Sequence, residues 1–561
     1  MTDDALRGRI AYDGTPTPLK TALFLLVCAA WLLPGLVGHD PWKVDEAVVF
    51  GMVTEMLRSG DWVDLRVAGE PYLQPAPLFV WTAALFAKAL GGLLPLHDAA
   101  RLAAGLHMAV TLAALALASE ELMAERAVRL SVLLFIGCLG LLIRAHEMTP
   151  DLAGLSGVAI GLYGLALAMR RPVAGGVATG LGMGLAFLGD GPLPLAMLAA
   201  TLAVLPVAGA AWRRRSHAVT AAVALLCAAP LVAVWPLLLA QGAPATFHLW
   251  GDALARWGQP FTRDDALQAG YFFRLLPWYA WPAWPLAAWS VYRARRTLAV
   301  RPALQLPLVA FLVFLVVLVF LGEAREINAM PLLLPLAILG VAEIDSLPRG
   351  AASALDWFGM TTFFLLAAVL WVGWVGAIAG RPDFAVAWLQ REVPGFTYRF
   401  DFIAFALAAL LTLIWLVVVA RSLRSTRRAL VNWSAGITMV WMLVMTLGVP
   451  LVDQARSYRG ISSTIVGALP TDFRCVARRN VGDAQRALLD YFVNLATVRD
   501  DVPAASRCNA LLVQATPGRV PQVGGEWEEA WRGSRPGDRH ELFVLYRRIA
   551  AAAAPAAATG G

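Results

Sequence analysis

Apolar stretches of about 20 residues recur along this 561-residue chain, and they restrict its fold more than any other feature. Each stretch can cross the hydrocarbon core of a bilayer as a helix, because a helix satisfies its backbone hydrogen bonds internally. Only 15% of the residues are charged, whereas soluble domains carry about a quarter. The sequence therefore predicts an all-α polytopic membrane protein with about 13 transmembrane helices between residues 19 and 452.

The arginines indicate how these predicted spans are oriented. If residues 1–18 form a cytoplasmic tail, the arginine clusters fall in loops on that same side of the membrane. The clusters are Arg170–Arg171, Arg213–Arg215, Arg293–Arg296, Arg349 and Arg421–Arg428. This bias predicts a cytoplasmic N-terminus and an outward-facing first loop at residues 39–98. The net charge of +7 is explained by the arginines of these loops, so it does not indicate a nucleic-acid partner.

Residues 453–549 differ from the rest of the chain because their charge density is that of a soluble domain. One helical pattern and two strand-like runs predict a small α+β domain on the outer side, followed by a disordered tail at 550–561. Cys475 and Cys508 lie in this domain, where an oxidising compartment permits a disulfide. Such a bridge would close about 33 residues and contribute roughly 3–4 kcal/mol. Two unpaired thiols are the alternative.

Acidic residues follow apolar runs at two outward-facing places, Asp45–Glu46 and Asp151. Carboxylates at membrane level are costly unless they are paired or hydrated, so they indicate a functional site. Each aspartate also stands where a helix is expected to begin, and aspartate is a common helix cap. The spacing alone leaves catalysis and capping open.

The first outer loop carries a specific resemblance. It contains DE at 45–46, MLRSGDW at 56–62, GEPYLQPAPL at 69–78 and Trp81. This order resembles the first outer loop of the lipid A aminoarabinose transferase family. These are GT-C-type glycosyltransferases related to protein O-mannosyltransferases. The likeness covers most of the membrane region, whereas residues 453–549 match no family.

The resemblance implies an integral enzyme of the bacterial inner membrane with a periplasmic C-terminal domain. Such an enzyme moves a sugar from a polyprenyl-phosphate carrier to lipid A, another glycan or a protein, and it works among membrane lipids. Asp45 and Asp151 match the catalytic aspartates of the first and second outer loops. Glu46 and Tyr72 are counted among the substrate-binding residues, although Glu46 could instead orient Asp45 or cap the helix.

Two other functions stay open. The chain could be a non-catalytic accessory membrane protein that binds lipid-linked glycans with the same fold. A transporter is the weaker alternative, because the outer carboxylates have no matching polar residue near the middle of the membrane. Retention of both Asp45 and Asp151 favours the glycosyltransferase.

The sequence departs from the family at its phosphate and metal positions. Gln74–Pro75 stands where the family has glutamate and lysine, and Ala253 stands where it has histidine. Both family metal ligands are therefore replaced, and the sequence assigns no cofactor. A divalent metal held by His248 and Asp252 stays open as an alternative, since imidazole and carboxylate are good ligands.

Two arginines are the candidates for binding the donor phosphate, because a guanidinium can grip a phosphate through two hydrogen bonds. Arg256 matches an arginine of a later outer loop of the family, and Arg325 resembles a basic position before a later span. With Gln74, which keeps an oxygen acceptor, they complete the predicted substrate-binding set.

Overall fold

The computed structural model describes residues 18–42, 44–72, 76–123, 125–256, 263–421 and 426–549. These residues form a predominantly helical bundle and a small sheet near the C-terminus, in agreement with the predicted fold class. The α-helices are α1 (Pro18–Leu32), α2 (Asp45–Ser59), α3 (Leu78–Leu90), α4 (Leu96–Leu122), α5 (Glu125–Ile136), α6 (Asp151–Ala168), α7 (Pro172–Asp190), α8 (Pro192–Ala208), α9 (Arg215–Gly242), α10 (Pro244–Arg256), α11 (Arg263–Tyr279), α12 (Ala283–Ala294), α13 (Pro302–Leu321), α14 (Met330–Ala342), α15 (Arg349–Ala379), α16 (Asp383–Glu392), α17 (Phe402–Arg421), α18 (Arg428–Leu443), α19 (Val449–Arg456), α20 (Arg459–Gly467) and α21 (Asp483–Val493). The strands are β1 (Arg66–Val67), β2 (Glu70–Pro71), β3 (Val476–Arg479), β4 (Thr497–Arg499), β5 (Ala510–Ala515), β6 (Trp527–Gly533) and β7 (Leu542–Arg548).

Eight helical segments of the described chain are long and apolar enough to cross a membrane. They are α4, α6, α7, α9, α13, α15, α17 and the continuous stretch from α18 to α20. A ninth results if residues 128–136 and 139–146, which are bent by 64°, count as one broken span. Shorter apolar helices accompany them, so the multi-pass class holds, and the total of about 13 spans stays a prediction.

The loops that carry many of the arginines meet at one end of the bundle. Arg427 pairs with Asp345, and the Arg301 guanidinium lies 3.0 Å from Glu343. These contacts join the segments before α13 and α18 to the segment after α14. Residues 39–42, the β1–β2 hairpin and the C-terminal domain lie together at the other end, where Asp40 pairs with Arg459 and Glu70 pairs with the sheet domain.

Helices α6 and α7 are antiparallel neighbours that pack through small residues. A Cβ atom added to Gly157 would lie 2.3 Å from the backbone nitrogen of Ala186, so the two backbones are in direct contact. In a bilayer, where apolar burial alone does not favour association, such close packing holds helices together. Because the pair is antiparallel, Asp151 at the start of α6 lies at the same end as Asp190, the last residue of α7.

The C-terminal sheet has the strand order β4-β3-β5-β7-β6. Strand β3 is parallel to both β4 and β5, and α21 forms the crossover from β3 to β4. Strands β5, β7 and β6 are antiparallel. Cys475 and Cys508 are joined by a disulfide with their Cα atoms 4.7 Å apart. The bridge ties together the chain just before β3 and the chain just before β5.

The sheet domain packs directly on the first outer loop. Helix α21 crosses α2 so closely that a Cβ atom on Gly51 would lie 2.6 Å from the Cβ of Ala487. Two turns further along α2, the Arg58 guanidinium lies 2.8 Å from the carboxylate of Asp490, also in α21. At its start, α2 contacts the bundle, because Glu46 pairs with Arg101 of α4. Helix α2 is therefore held between the bundle and the C-terminal domain.

Candidate active site

Asp45 is the first residue of α2, and its carboxylate meets the guanidinium of Arg325. The Arg325 Nη2 donates a hydrogen bond to Asp45 Oδ1 at 3.1 Å. Arg325 lies in the loop between α13 and α14, so the pair joins two outer loops. The side chains of Arg325 and Asp45 are 44% and 32% exposed, so both are accessible to an incoming substrate.

Arg325 is surrounded by carboxylates. Burial disfavours its charged form, but the carboxylates of Asp45, Asp151, Glu323 and Asp190 outweigh that cost and raise the pKa of the Arg325 guanidinium. The cation is therefore retained throughout the physiological range. The shared interaction also means that Asp45 and Asp151, 106 positions apart in the sequence, converge around one arginine.

Asp151 faces a narrow cleft next to this cluster. The Thr149 hydroxyl donates a hydrogen bond to the Asp151 carboxylate and orients it. The cleft is lined on one side by Asp151 and Asp190, and on the other by Asn328 and the start of α14. Asp45 and Asp151 are each the first residue of a helix, so both also stabilise the positive end of a helix dipole. The N-cap residues of α2 and α6 are Val44 and Pro150, and neither helix start has a side-chain capping hydrogen bond, so the structure shows neither aspartate as a cap.

Asp190 lines the same cleft as Asp151, and the sequence reasoning did not single it out. A Cβ atom on Gly154, one turn after Asp151, would lie 2.6 Å from the Asp190 Cβ, which shows how near the two acidic residues are. Part of the signal was present in the sequence, because glycines at 154, 157 and 164 in α6 and at 175, 182 and 189 in α7 lie where the two helices touch. Glycine faces of this kind predict close packing, and because the antiparallel helices are similar in length, the start of α6 lies beside the end of α7.

The sequence reasoning also missed a second ion pair of the same loop. The Arg144 Nε donates to Glu326 Oε1 at 2.9 Å, and Arg144 Nη1 donates to Glu147 at 2.8 Å. Arg325 and Glu326 are adjacent, and one binds the first outer loop while the other binds the segment that precedes Asp151. The loop before α14 therefore connects both predicted catalytic segments.

Glu46 points into the protein instead of into the cleft. Its carboxylate accepts hydrogen bonds from Arg101 Nε at 2.6 Å and from the Trp42 backbone N–H at 3.0 Å. Burial favours the neutral acid, but the Arg101 guanidinium and His39 prevail and lower the pKa of Glu46. This buried pair anchors the start of α2, and an orienting effect of Glu46 on Asp45 stays a prediction. A contact with substrate would require the pair to open.

The remaining predicted substrate contacts are described only in part. Tyr72 follows strand β2 and lies close enough to Asp45 to feel its charge. Burial is the main cause that raises the pKa of the Tyr72 phenol, and the carboxylates of Asp483 and Asp45 act in the same direction. Gln74 and the side chain of Arg256 lie outside the described residues, so their roles stay predictions.

His248 and Asp252 lie one turn apart on α10, and both are exposed. Within the described ranges, no group of three or more His, Cys, Asp or Glu side chains is arranged to hold a metal ion. Two exposed ligands do not provide the three or four that a tightly bound divalent metal requires. The residues present do not fit a metal centre, and metal dependence stays an open prediction.

Comparison with known proteins shows which sequences and folds this chain resembles. Residues 74–235 match the family described as dolichyl-phosphate-mannose-protein mannosyltransferase. The chain is 27% identical over 450 residues to the undecaprenyl phosphate-alpha-4-amino-4-deoxy-L-arabinose arabinosyl transferase of Pseudomonas aeruginosa strain UCBPP-PA14, covering 76% of this chain and 75% of the relative. The comparisons support an aminoarabinose transferase-like GT-C glycosyltransferase. The relative from Pseudomonas paraeruginosa strain PA7 is also 27% identical, covering 77% of this chain and 76% of the relative.

The fold of this aminoarabinose transferase-like protein is shared with a solved structure. The crystal structure of ArnT from Cupriavidus metallidurans bound to undecaprenyl phosphate superposes with a TM-score of 0.67 at 17% identity. The superposition covers 94% of this chain and 98% of that one, so the shared fold includes the C-terminal sheet domain that the sequence matched to no family. The resemblance drawn from residues 45–81 is thus confirmed as a family likeness.

Proposed function

We propose that the protein transfers a sugar from a polyprenyl-phosphate carrier to an acceptor at the periplasmic face of the bacterial inner membrane. The observation that carries this proposal is the ion pair of Asp45 and Arg325 beside the cleft that Asp151 faces. The Asp45 carboxylate can accept a proton, and the Arg325 guanidinium can neutralise a phosphate. The likeness to arabinosyl transferases over 450 residues supports the same reaction class.

The chemistry assigns a separate task to each group. The acceptor hydroxyl oxygen attacks the anomeric carbon of the donor, and the bond from that carbon to the phosphate oxygen breaks. The electron pair leaves with the phosphate, whose negative charge Arg325 neutralises. Asp45 accepts the proton of the attacking hydroxyl, and Asp151 helps to position the sugar through hydrogen bonds. Phosphate is a good leaving group, so no general acid is required.

The pairing of Arg325 with Asp45 also indicates an order of events. Without donor, each group neutralises the other at 3.1 Å. A phosphate competes for the guanidinium through two charge-assisted hydrogen bonds, which are stronger than a single one. Donor binding therefore draws Arg325 away and leaves the Asp45 carboxylate available to the acceptor hydroxyl.

The test uses the full-length protein in lipid nanodiscs with undecaprenyl-phosphate sugars, including 4-amino-4-deoxy-L-arabinose, and with lipid A, glycan and peptide acceptors. Asp45→Asn should lower turnover by about 10²–10⁴-fold, because the proton acceptor is lost. Asp501→Asn, which changes an exposed aspartate of the C-terminal domain, is the matched control. Equal turnover in wild type and Asp45→Asn would remove Asp45 from the mechanism. If the wild type binds the donor tightly but transfers no sugar, the non-catalytic accessory function is favoured.

The topology belongs to the same proposal. We infer about 13 membrane spans with a cytoplasmic N-terminus and a periplasmic C-terminal domain, because the basic loops collect at the end of the bundle away from the site. Labelling of single cysteines in intact spheroplasts tests the orientation. A cysteine placed at exposed Arg532 should react with an impermeant maleimide, and one placed at Arg301 should not.

A further inference from the structure

The β1–β2 hairpin of the first outer loop has an unusual turn. Its strands are linked by only two residues, Ala68 and Gly69, with φ angles of 47° and 81°. Two consecutive positive φ angles define the turn type that suits a two-residue hairpin, and such turns normally contain asparagine or glycine. An alanine in this conformation carries a backbone cost of the order of 1 kcal/mol. The surrounding structure must therefore hold the turn in place.

The residue that holds it comes from the C-terminal domain. Arg486 of α21 is only 3% exposed, and its Nη2 donates to the backbone carbonyls of Val67 at 3.1 Å and Ala68 at 3.3 Å. Its Nη1 also lies 3.0 Å from the carboxylate of Glu70, on the far side of the turn. One guanidinium thus contacts both strands of the hairpin and the link between them.

A second arginine of the same domain completes this contact. Arg478 of β3, also buried, donates from Nη2 to Glu70 Oε1 at 2.7 Å. Glu70 is therefore shared by two cations. Partial burial favours its neutral form, but Arg478 and Arg486 outweigh that effect and lower the pKa of the Glu70 carboxyl. At neutral pH the hairpin is docked on the C-terminal domain by charged hydrogen bonds.

The hairpin leads directly into the candidate active site. The Tyr72 backbone N–H donates to the Leu65 carbonyl at 2.8 Å, which extends the hairpin by one more bond. Tyr72, one of the predicted substrate-binding residues, is therefore held through its backbone by the hairpin. A turn that moved would carry Tyr72 with it.

We propose that Arg486 is a positioning residue, through which the C-terminal domain holds the hairpin and, with it, the predicted substrate-binding residue Tyr72. This role rests on the proposed glycosyl transfer for its effect on turnover, although the docking itself does not. The small sheet domain is thus a structural part of the active site.

The docking is tested by hydrogen exchange of the full-length protein in nanodiscs, which needs no substrate. In Arg486→Met, amide exchange in residues 66–72 should become at least about 10-fold faster, while α6 and α7 keep their protection. Arg532→Met, which removes an exposed arginine of the same domain, should leave that segment unchanged. Unchanged exchange in Arg486→Met would overturn the proposal. Glu70→Gln, which alters the partly exposed partner and not the domain core, should loosen the same segment if Arg486→Met fails to fold.

The kinetic test separates positioning from general stability. Tyr72→Phe and Arg486→Met should each lower kcat/KM, and the double variant should be no worse than Arg486→Met alone, because Arg486 acts through Tyr72. Effects that simply multiply would overturn this coupling. If the wild type transfers no sugar, the proposed function fails, while the exchange result still decides whether Arg486 holds the hairpin.

Discussion

Arg325 and Asp45 are hydrogen-bonded although 280 residues separate them in the chain. Their contact exists because the loop between α13 and α14 reaches across the end of the bundle to the start of α2. The neighbouring Glu326 binds Arg144 in the segment that leads to Asp151. A single short loop therefore sets the relative positions of the two predicted catalytic aspartates.

Arg325→Met should weaken binding of undecaprenyl phosphate. Loss of a charge-assisted contact to phosphate costs about 1.5–3 kcal/mol, which is roughly a 10- to 100-fold increase in Kd. Binding can be measured by thermophoresis of the labelled protein in nanodiscs. Arg301→Met is the control, because Arg301 pairs with Glu343 at the opposite end of the bundle. An unchanged Kd in Arg325→Met would show that another cation holds the phosphate.

Asp190→Asn should lower turnover by about 10-fold or more, equivalent to at least 1.4 kcal/mol in the barrier, because a carboxylate that lines the cleft is lost. Asparagine keeps the size of the side chain, so the α6–α7 packing is retained. Asp356→Asn is the matched control, since Asp356 pairs with Arg428 at the basic end of the bundle. Wild-type kinetics in Asp190→Asn would mean that Asp151 is the cleft's only functional acid among the described residues.

Gly157→Ala should destabilise the bundle by about 1–3 kcal/mol, because the added methyl group would overlap the α7 backbone at Ala186. Thermal unfolding in detergent should show a lower Tm. Turnover should fall as well, since α6 and α7 carry Asp151 and Asp190. Gly373→Ala in α15 is the control, because nothing lies within 4 Å of the added atom and alanine favours the helix. Equal Tm values for the two variants would contradict the close packing.

Glu46→Gln should make the stability of the folded protein less dependent on pH in the acidic range. The pKa of Glu46 is lowered from its ordinary value of 4.5, so the stabilising pair with Arg101 is fully present above that pH. This contribution is lost as the pH falls through the folded-state pKa. Breaking a buried pair costs about 3–5 kcal/mol, so the Tm difference between wild type and Glu46→Gln should be largest near neutral pH.

The same difference should shrink as the pH falls below 4.5. Melting curves between pH 7 and pH 3.5 measure it, with Glu529→Gln as the control, because Glu529 forms an exposed pair with Arg532. A Tm difference that does not vary with pH would show that the Glu46 carboxylate contributes nothing through its charge.

Much of this protein could be predicted from local sequence. The membrane class follows from apolar runs whose length matches the bilayer, and the small outer domain follows from its change in charge density. Asp45 and Asp151 stand out because carboxylates beside apolar helices are costly. Arg325 was also among the predicted residues. Each of these signals lies within one short stretch of chain.

The partners of those residues could not be predicted in this way. Asp190 ends a glycine-rich helix, and although the glycines indicate close packing, only the structure shows that it lies beside Asp151 at the cleft. Glu46 was predicted to contact the substrate because it is acidic and adjacent to Asp45. In the structure it is instead buried in an ion pair with Arg101. Arg486 lies more than 400 positions from the turn that it holds.

The sequence alone determined that the chain has many apolar helices of membrane-spanning length, that a small mixed α/β domain follows them and which acidic residues are site candidates. These properties depend on the hydrophobicity and charge of neighbouring residues, and local composition records them. Only the tertiary structure decided that Asp45 meets Arg325, that Asp190 joins Asp151 and that α21 covers the first loop. Such contacts depend on how helices far apart in the chain pack, and the free energy of packing is set by the whole bundle instead of by any one segment.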